Sequence, residues 1–242
     1  MIGALLLAVA APPAERPNIV TREVETGSRI AVTRDQSATA VDGRNRAKML
    51  RGMSECVIRR QRGVAMRVIA ASAGDALDYG RLGIPAGRLN LALSIDTCLE
   101  QSLTYDGMFQ WRSSTSMLRN LLVDALYRAT FVTPPVKAWA EVVAQPVAAI
   151  GNAARVQAQQ AVGAFGECIA RADFAASDRL VRSEPTSDAE RAAFAAIVPL
   201  ISPCIEAGSS VSLAKPALRI IITDAAWRLA NGASSVPGAK AN

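Results

Sequence analysis

An all-α fold is the expectation for this chain: two tandem, similar helical units of about four helices each, packed together, with at most one short β-hairpin. Three observations lead there. A motif order repeats along the chain, apolar residues recur at helical spacing, and helix start and stop signals bound those stretches.

The repeat is read from short motifs. Glu55-Cys56-Val57-Ile58-Arg59 matches Glu167-Cys168-Ile169-Ala170-Arg171. The second Cys of each half lies in Asp96-Thr97-Cys98-Leu99-Glu100 and in Ser202-Pro203-Cys204-Ile205-Glu206. Phe109-x-Trp111 has its counterpart in Val211-x-Leu213, and Leu118-Arg119-x4-Asp124-Ala125-x2-Arg128 recurs as Leu218-Arg219-x4-Asp224-Ala225-x2-Arg228. The repeated core runs from roughly 44 to 130 and from 154 to 230. This layout resembles uncharacterised exported alphaproteobacterial proteins built from a two-Cys helical unit. The resemblance rests on E-C-V/I-x-R and L-R-x4-D-A-x2-R; it implies a compartment and a helical fold and brings no activity with it.

In chain order, residues 1–14 read as a signal peptide. The run from Ile2 to Ala11 is too short to span a bilayer, and Ala8-Val9-Ala10 supplies a small-x-small cleavage pattern. It lacks a basic n-region, so either the start lies upstream of Met1 or the stretch is merely an apolar N-terminus. Residues 15–43 are polar and aperiodic and read as a flexible tether, with Ile30 to Val32 offering a short strand at most. Unit 1 takes 44–133. Its first helix runs from Arg44 to about Arg62, where Gly63 allows a break, and a short helix over 64–72 follows. Met49, Met53, Cys56, Val57 and Val64 fall on the side expected to be buried. Its last helix spans about 116–130, with Leu118, Leu121, Leu122, Ala125 and Ala129 as its core stripe, and Pro134-Pro135 ends it.

Residues 134–232 are expected to hold a linker helix, broken at Pro146, and unit 2. Ser187-x-x-Glu190 is a capping-box pattern, and Phe194, Ile197, Val198 and Ile201 follow at helical spacing. Pro199 and Pro203 predict a kink or split, because each removes a backbone donor and crowds the preceding turn. The closing helix runs about 215–230, with Pro216 in its first turn and Asn231-Gly232 as its stop. Leu218, Ile221, Ile222, Ala225 and Leu229 form its stripe. Residues 233–242 read as a disordered tail.

Composition narrows the chemistry. With no His, the chain has no Ser-His-acid or Cys-His mechanism and no imidazole metal site. No C-x-x-C is present, so a zinc ribbon is not expected, nor any cofactor. Four Cys permit three pairings. The repeat favours Cys56–Cys98 and Cys168–Cys204, and such bridges belong to an oxidising compartment, here the periplasm or the exterior.

Asp124 and Asp224, one per unit, invite a paired-carboxylate reading, a hydrolase with its groove between the units. The ordinary reading weighs more: each precedes an Arg by four residues, the spacing of a helical ion pair. Glu55 with Arg59 and Glu167 with Arg171 repeat it. No residue is therefore assigned a catalytic role.

What differs between the units is more informative. Arg44, Lys48, Arg51, Arg59 and Arg62 share one helical face, a candidate anion-binding face. The segment 44–67 holds eight bases and one acid and accounts for the whole net charge of +6. Val156, Gln160 and Gly163 stand where unit 1 has its first three bases. Such a face suits an anionic membrane surface ahead of nucleic acid. Unit 1 also carries six extra residues between its second Cys and its closing helix, around Asp106-Gly107. Asp-Gly signals a hairpin, and Tyr105, Phe109 and Trp111 there form a candidate partner loop, for another envelope protein for instance. The expectation is an exported, disulfide-stapled helical protein that binds or supports structure.

Overall fold

Helix α1 (Gly43–Ala70) buries Met49, Met53, Cys56 and Val57, as the helical spacing predicts. These coordinates are a computed structural model that describes residues 31–33, 43–102, 108–110, 113–134, 142–205 and 213–234. The helix bends at Gln61 (φ −134°, ψ 36°) and not at Gly63, which sits in open space. Gln61 donates its amide to Ser94 Oγ at 3.1 Å, so a side-chain contact holds the bend. The expected separate helix over 64–72 is thus the second arm of α1.

A hairpin of β2 (Ser72–Ala73) and β3 (Ala76–Leu77) follows, turning at Gly74 with φ +54°. Short turns α2 (Tyr79–Leu82), α3 (Leu89–Ala92) and α4 (Ile95–Gln101) then bring Cys98 beside Cys56. Strand β1 (Ala31–Thr33) pairs antiparallel with β4 (Met108–Gln110), Val32 opposite Phe109. The short strand offered near Ile30 to Val32 is thus present as β1, while the hairpin turn expected at Asp106-Gly107 falls on residues that are not described. Residues 103–107 themselves lie outside the described residues, as do 1–30 and 235–242.

Helix α5 (Thr115–Thr130) starts at Ser114, whose hydroxyl accepts from the Met117 N–H at 3.2 Å. It buries Leu118, Leu122, Val123, Ala125, Leu126 and Tyr127, while Ala129 is exposed. Helices α6 (Ala153–Ala172) and α7 (Phe174–Arg182) are capped by Asn152 and Asp173. The sequence offset separating Cys56 from Cys168 also separates the bend at Gln61 from the α6–α7 break at Asp173. In α8 (Asp188–Ile201), Ser187 accepts from the Glu190 N–H, and Glu190 reaches back to the Thr186 N–H at 2.7 Å. The helix runs through Pro199, and the split comes only at Pro203, in the 3-10 turn Ser202–Cys204. That turn carries Cys204 to Cys168. Helix α9 (Lys215–Ser234) does not stop at Asn231-Gly232 but continues to Ser234.

The predicted linker helix is overturned over 142–150, which is a non-helical strap laid across α6 and α9. Its backbone pairs with Arg228, Gln145 N–H donating to the Arg228 carbonyl at 3.1 Å, and Arg171 donates to the Val142 carbonyl at 2.6 Å. Two glycines make the close approach possible. A Cβ at Gly232 would overlap the Val143 carbonyl, and one at Gly163 would overlap the Val147 side chain. Gly232→Val is expected to cost about 1–3 kcal/mol by overpacking and to lift the strap. Hydrogen exchange should then accelerate at Gln145 while the buried α5 amides stay protected.

Two apolar clusters form the interior. One joins α1, α4 and α5 with Ala225 to Ala230 of α9; the other joins α6, α7 and α8 with Leu218 and Ile222. Helix α9 serves both. No described helix is long and apolar enough to cross a membrane.

Candidate functional site

Helices α5 and α9 cross at the centre, and reciprocal ion pairs fix the crossing. Arg119 meets Asp224 at 2.6 Å and Arg219 meets Asp124 at 3.5 Å, an antiparallel arrangement. Each Asp also holds the Arg four residues on: Asp124 with Arg128 at 2.6 Å, Asp224 with Arg228 at 3.1 Å. Those arginines reach back to the first helix of each half, Arg128 to Glu55 and Arg228 to Glu167 at 3.2 Å. The expected ion pairs are therefore present within a larger network, except that Glu55 takes Arg51 and Arg128 and Arg59 is exposed. Burial pushes the Glu55 carboxyl up, but the Arg128 and Arg51 guanidiniums outweigh it and hold the group below its ordinary range. Asp124 and Asp224 do not face one another as a free dyad; arginine occupies both.

A second polar knot joins α5 to α7. The Tyr127 hydroxyl, fully buried, donates to Asp178 at 2.8 Å, and Arg182 bridges Asp178 and the Phe131 carbonyl. Burial and the neighbouring carboxylate push the phenol well above the usual tyrosine range. The hydroxyl is a fixed donor here, not an acid.

Two grooves flank the α5–α9 pair. The larger, about 610 Å³, lies between α1, α5, α8 and the start of α9, with Leu50, Met117, Leu121, Phe194, Pro216 and Ile220 as apolar walls. The smaller, about 360 Å³, lies between the β2–β3 hairpin, α5, α6 and α9. Corresponding positions line them: Ala47, Leu50 and Arg51 of α1 in one, Gln159, Val162 and Gly163 of α6 in the other. The strap distinguishes them. Val147 enters the smaller groove over Gly163, whereas at the matching place Arg51 turns away to the Ser183 and Arg182 carbonyls, at 3.0 and 3.4 Å. Among the described residues no chain segment enters the larger groove in the same way. Its volume falls in the range of small-molecule sites.

The basic face is partly dismantled by these contacts. Lys48, Arg59 and Arg62 are exposed, Arg62 resting on Thr130 Oγ1, but Arg51 is half-buried and serves as a clamp. The Arg44 side chain lies outside the described residues, as do Tyr105, Trp111 and the side chain of Phe109. The disulfides join Cys56 to Cys98 and Cys168 to Cys204, with Cα separations of 5.5 and 5.7 Å. Both expected pairings are present.

Sequence reasoning missed the groove. Leu121 read as ordinary core and Leu50 was not singled out; only their neighbours across the cleft make them a wall. It also passed over the S-x-x-K spacing of Ser212 to Lys215: Lys215 lines the groove mouth, and Ser212 lies outside the described residues. The described residues form a disulfide-stapled helical protein with paired central helices flanked by two grooves, the larger of them mostly apolar. Comparison with family models, with curated proteins and with solved structures finds no match to this chain.

Proposed function

We propose that the chain is an exported binding protein, built from two copies of one helical unit, and that the larger groove is its ligand site. The observation that carries this reading is an open, mostly apolar cleft of about 610 Å³ beside acids already spent in ion pairs. A carboxylate hydrolase needs one acid free to donate a proton and another free to attack or to activate water. Here Arg119, Arg128, Arg219 and Arg228 take those carboxylates as partners. The two disulfides support maturation in an oxidising compartment, the periplasm or the exterior.

The test uses the neutral fluorophore N-phenylnaphthylamine, which brightens in apolar surroundings. The folded protein is expected to bind one equivalent, and Ala47→Trp, which places an indole in the cleft, should abolish binding with an unchanged circular dichroism spectrum. Absence of dye binding by the folded wild type, or equal binding by the variant, would overturn the reading.

A further inference from the structure

We infer that the groove takes a single-chain anionic amphiphile, its tail against the apolar walls and its head at the mouth beside Lys215. This rests on the binding-protein reading above and names the ligand class of the same site. The walls ask for a hydrocarbon body, since Leu50, Met117, Leu121, Phe194 and Ile220 all face the cleft. The charge at the mouth sets the head. Both acids that line the groove, Asp124 and Glu190, are engaged by the same guanidinium, that of Arg219, with Glu190 at 2.8 Å. Arg219 is itself anchored on the Val181 and Ser183 carbonyls at 3.0 and 2.9 Å, so it is fixed as part of the wall. Lys215 is exposed at the mouth and has no carboxylate partner among the described residues. It opens a helix of 20 residues, whose positive end points the same way. An ammonium head would meet Lys215 as a like charge and find no acid free to receive it.

The molecule also holds an internal precedent. In the corresponding smaller groove, the apolar Val147 of the strap fills space over Gly163. The larger groove is the same kind of cleft with Arg51 in place of that glycine, and among the described residues no apolar side chain of a strap fills it as Val147 fills the smaller one.

Carboxylate and phosphate heads share this chemistry, and the experiment separates them. Laurate, dodecyl phosphate, dodecanol and dodecylamine, each below its aggregation limit, compete with bound N-phenylnaphthylamine. Laurate or dodecyl phosphate, or both, should displace the dye at concentrations about fivefold or more below those of dodecanol and dodecylamine. The better of the two identifies the head. Lys215→Glu, at an exposed position, should erase that preference while dye binding persists. If dodecanol or dodecylamine competes as well as both anions, or Lys215→Glu leaves the preference intact, the ligand class is wrong although the groove binds. If the dye itself does not bind, the broader reading fails first.

Discussion

Arg228→Met is expected to destabilise the protein by about 3–5 kcal/mol, the largest single effect among its charged side chains. The guanidinium is only 7% exposed and satisfies four partners: Asp224, Glu167, the Gln145 carbonyl at 3.1 Å and the Gly163 carbonyl at 2.9 Å. Removing it leaves Asp224 with Arg119 alone and Glu167 with Arg171 alone, takes the donor from two buried carbonyls, and unties the strap. Methionine fills the volume but donates nothing, and two half-compensated carboxylates together with two carbonyls that lose their donor cost more than the pairs themselves are worth. Adding Asp224→Asn to this variant should recover part of the loss, because a carboxylate left with a single arginine gives way to a neutral amide. Urea titration of the three proteins checks it. A loss under about 1 kcal/mol for the single variant would mean that the network is solvated and of little weight.

Removing the disulfides is expected to cost roughly 2–4 kcal/mol each, since the linked residues lie 42 and 36 positions apart. The two bridges should behave differently. Cys56 and Cys98 are buried at 2% and 0% exposure, whereas Cys168 is exposed and Cys204 half-buried. Double Cys→Ser replacement at 56 and 98 also puts hydroxyls into the core, so it should cost more than replacement at 168 and 204. Under mild dithiothreitol the Cys168–Cys204 bridge should open first, because a thiolate must reach a sulfur to exchange. Timed alkylation with peptide mapping reads the order. Earlier opening at Cys56–Cys98 would contradict the packing described for α1 and α4.

Much of the scaffold was legible because local rules decided it. Ser187 and Glu190 form their cap where the pattern places them, and Leu218, Ile222, Ala225 and Leu229 are buried in sequence register. The Cys pairing followed from the repeat of E-C-V/I-x-R. The strap was not legible. Its Ala and Val residues suit a helix as well as an irregular segment, and what selects the non-helical path is the surface beneath it. Gly163 and Gly232 supply that surface from distant parts of the chain. Gly163 was noted only as a missing base at the position of Arg51; the structure makes that same difference the reason Val147 enters one groove while Arg51 lines the other. The crossing pairs Arg119–Asp224 and Arg219–Asp124 were hidden for a similar reason. A spacing of four predicts a partner on the same helix and says nothing of a partner on the next.

The central claim is that the cleft between α1, α5, α8 and α9 is where a ligand sits. Methyl-resolved NMR of the isotope-labelled protein, titrated with N-phenylnaphthylamine, tests it most directly. Leu50, Met117, Leu121 and Ile220 should shift together and saturate at one equivalent, while Leu180 and Leu126, buried away from the cleft, stay in place. Shifts that centre instead on Val147 and Val162 would put the ligand in the smaller groove. That result, or shifts scattered over the surface methyls, would contradict the account.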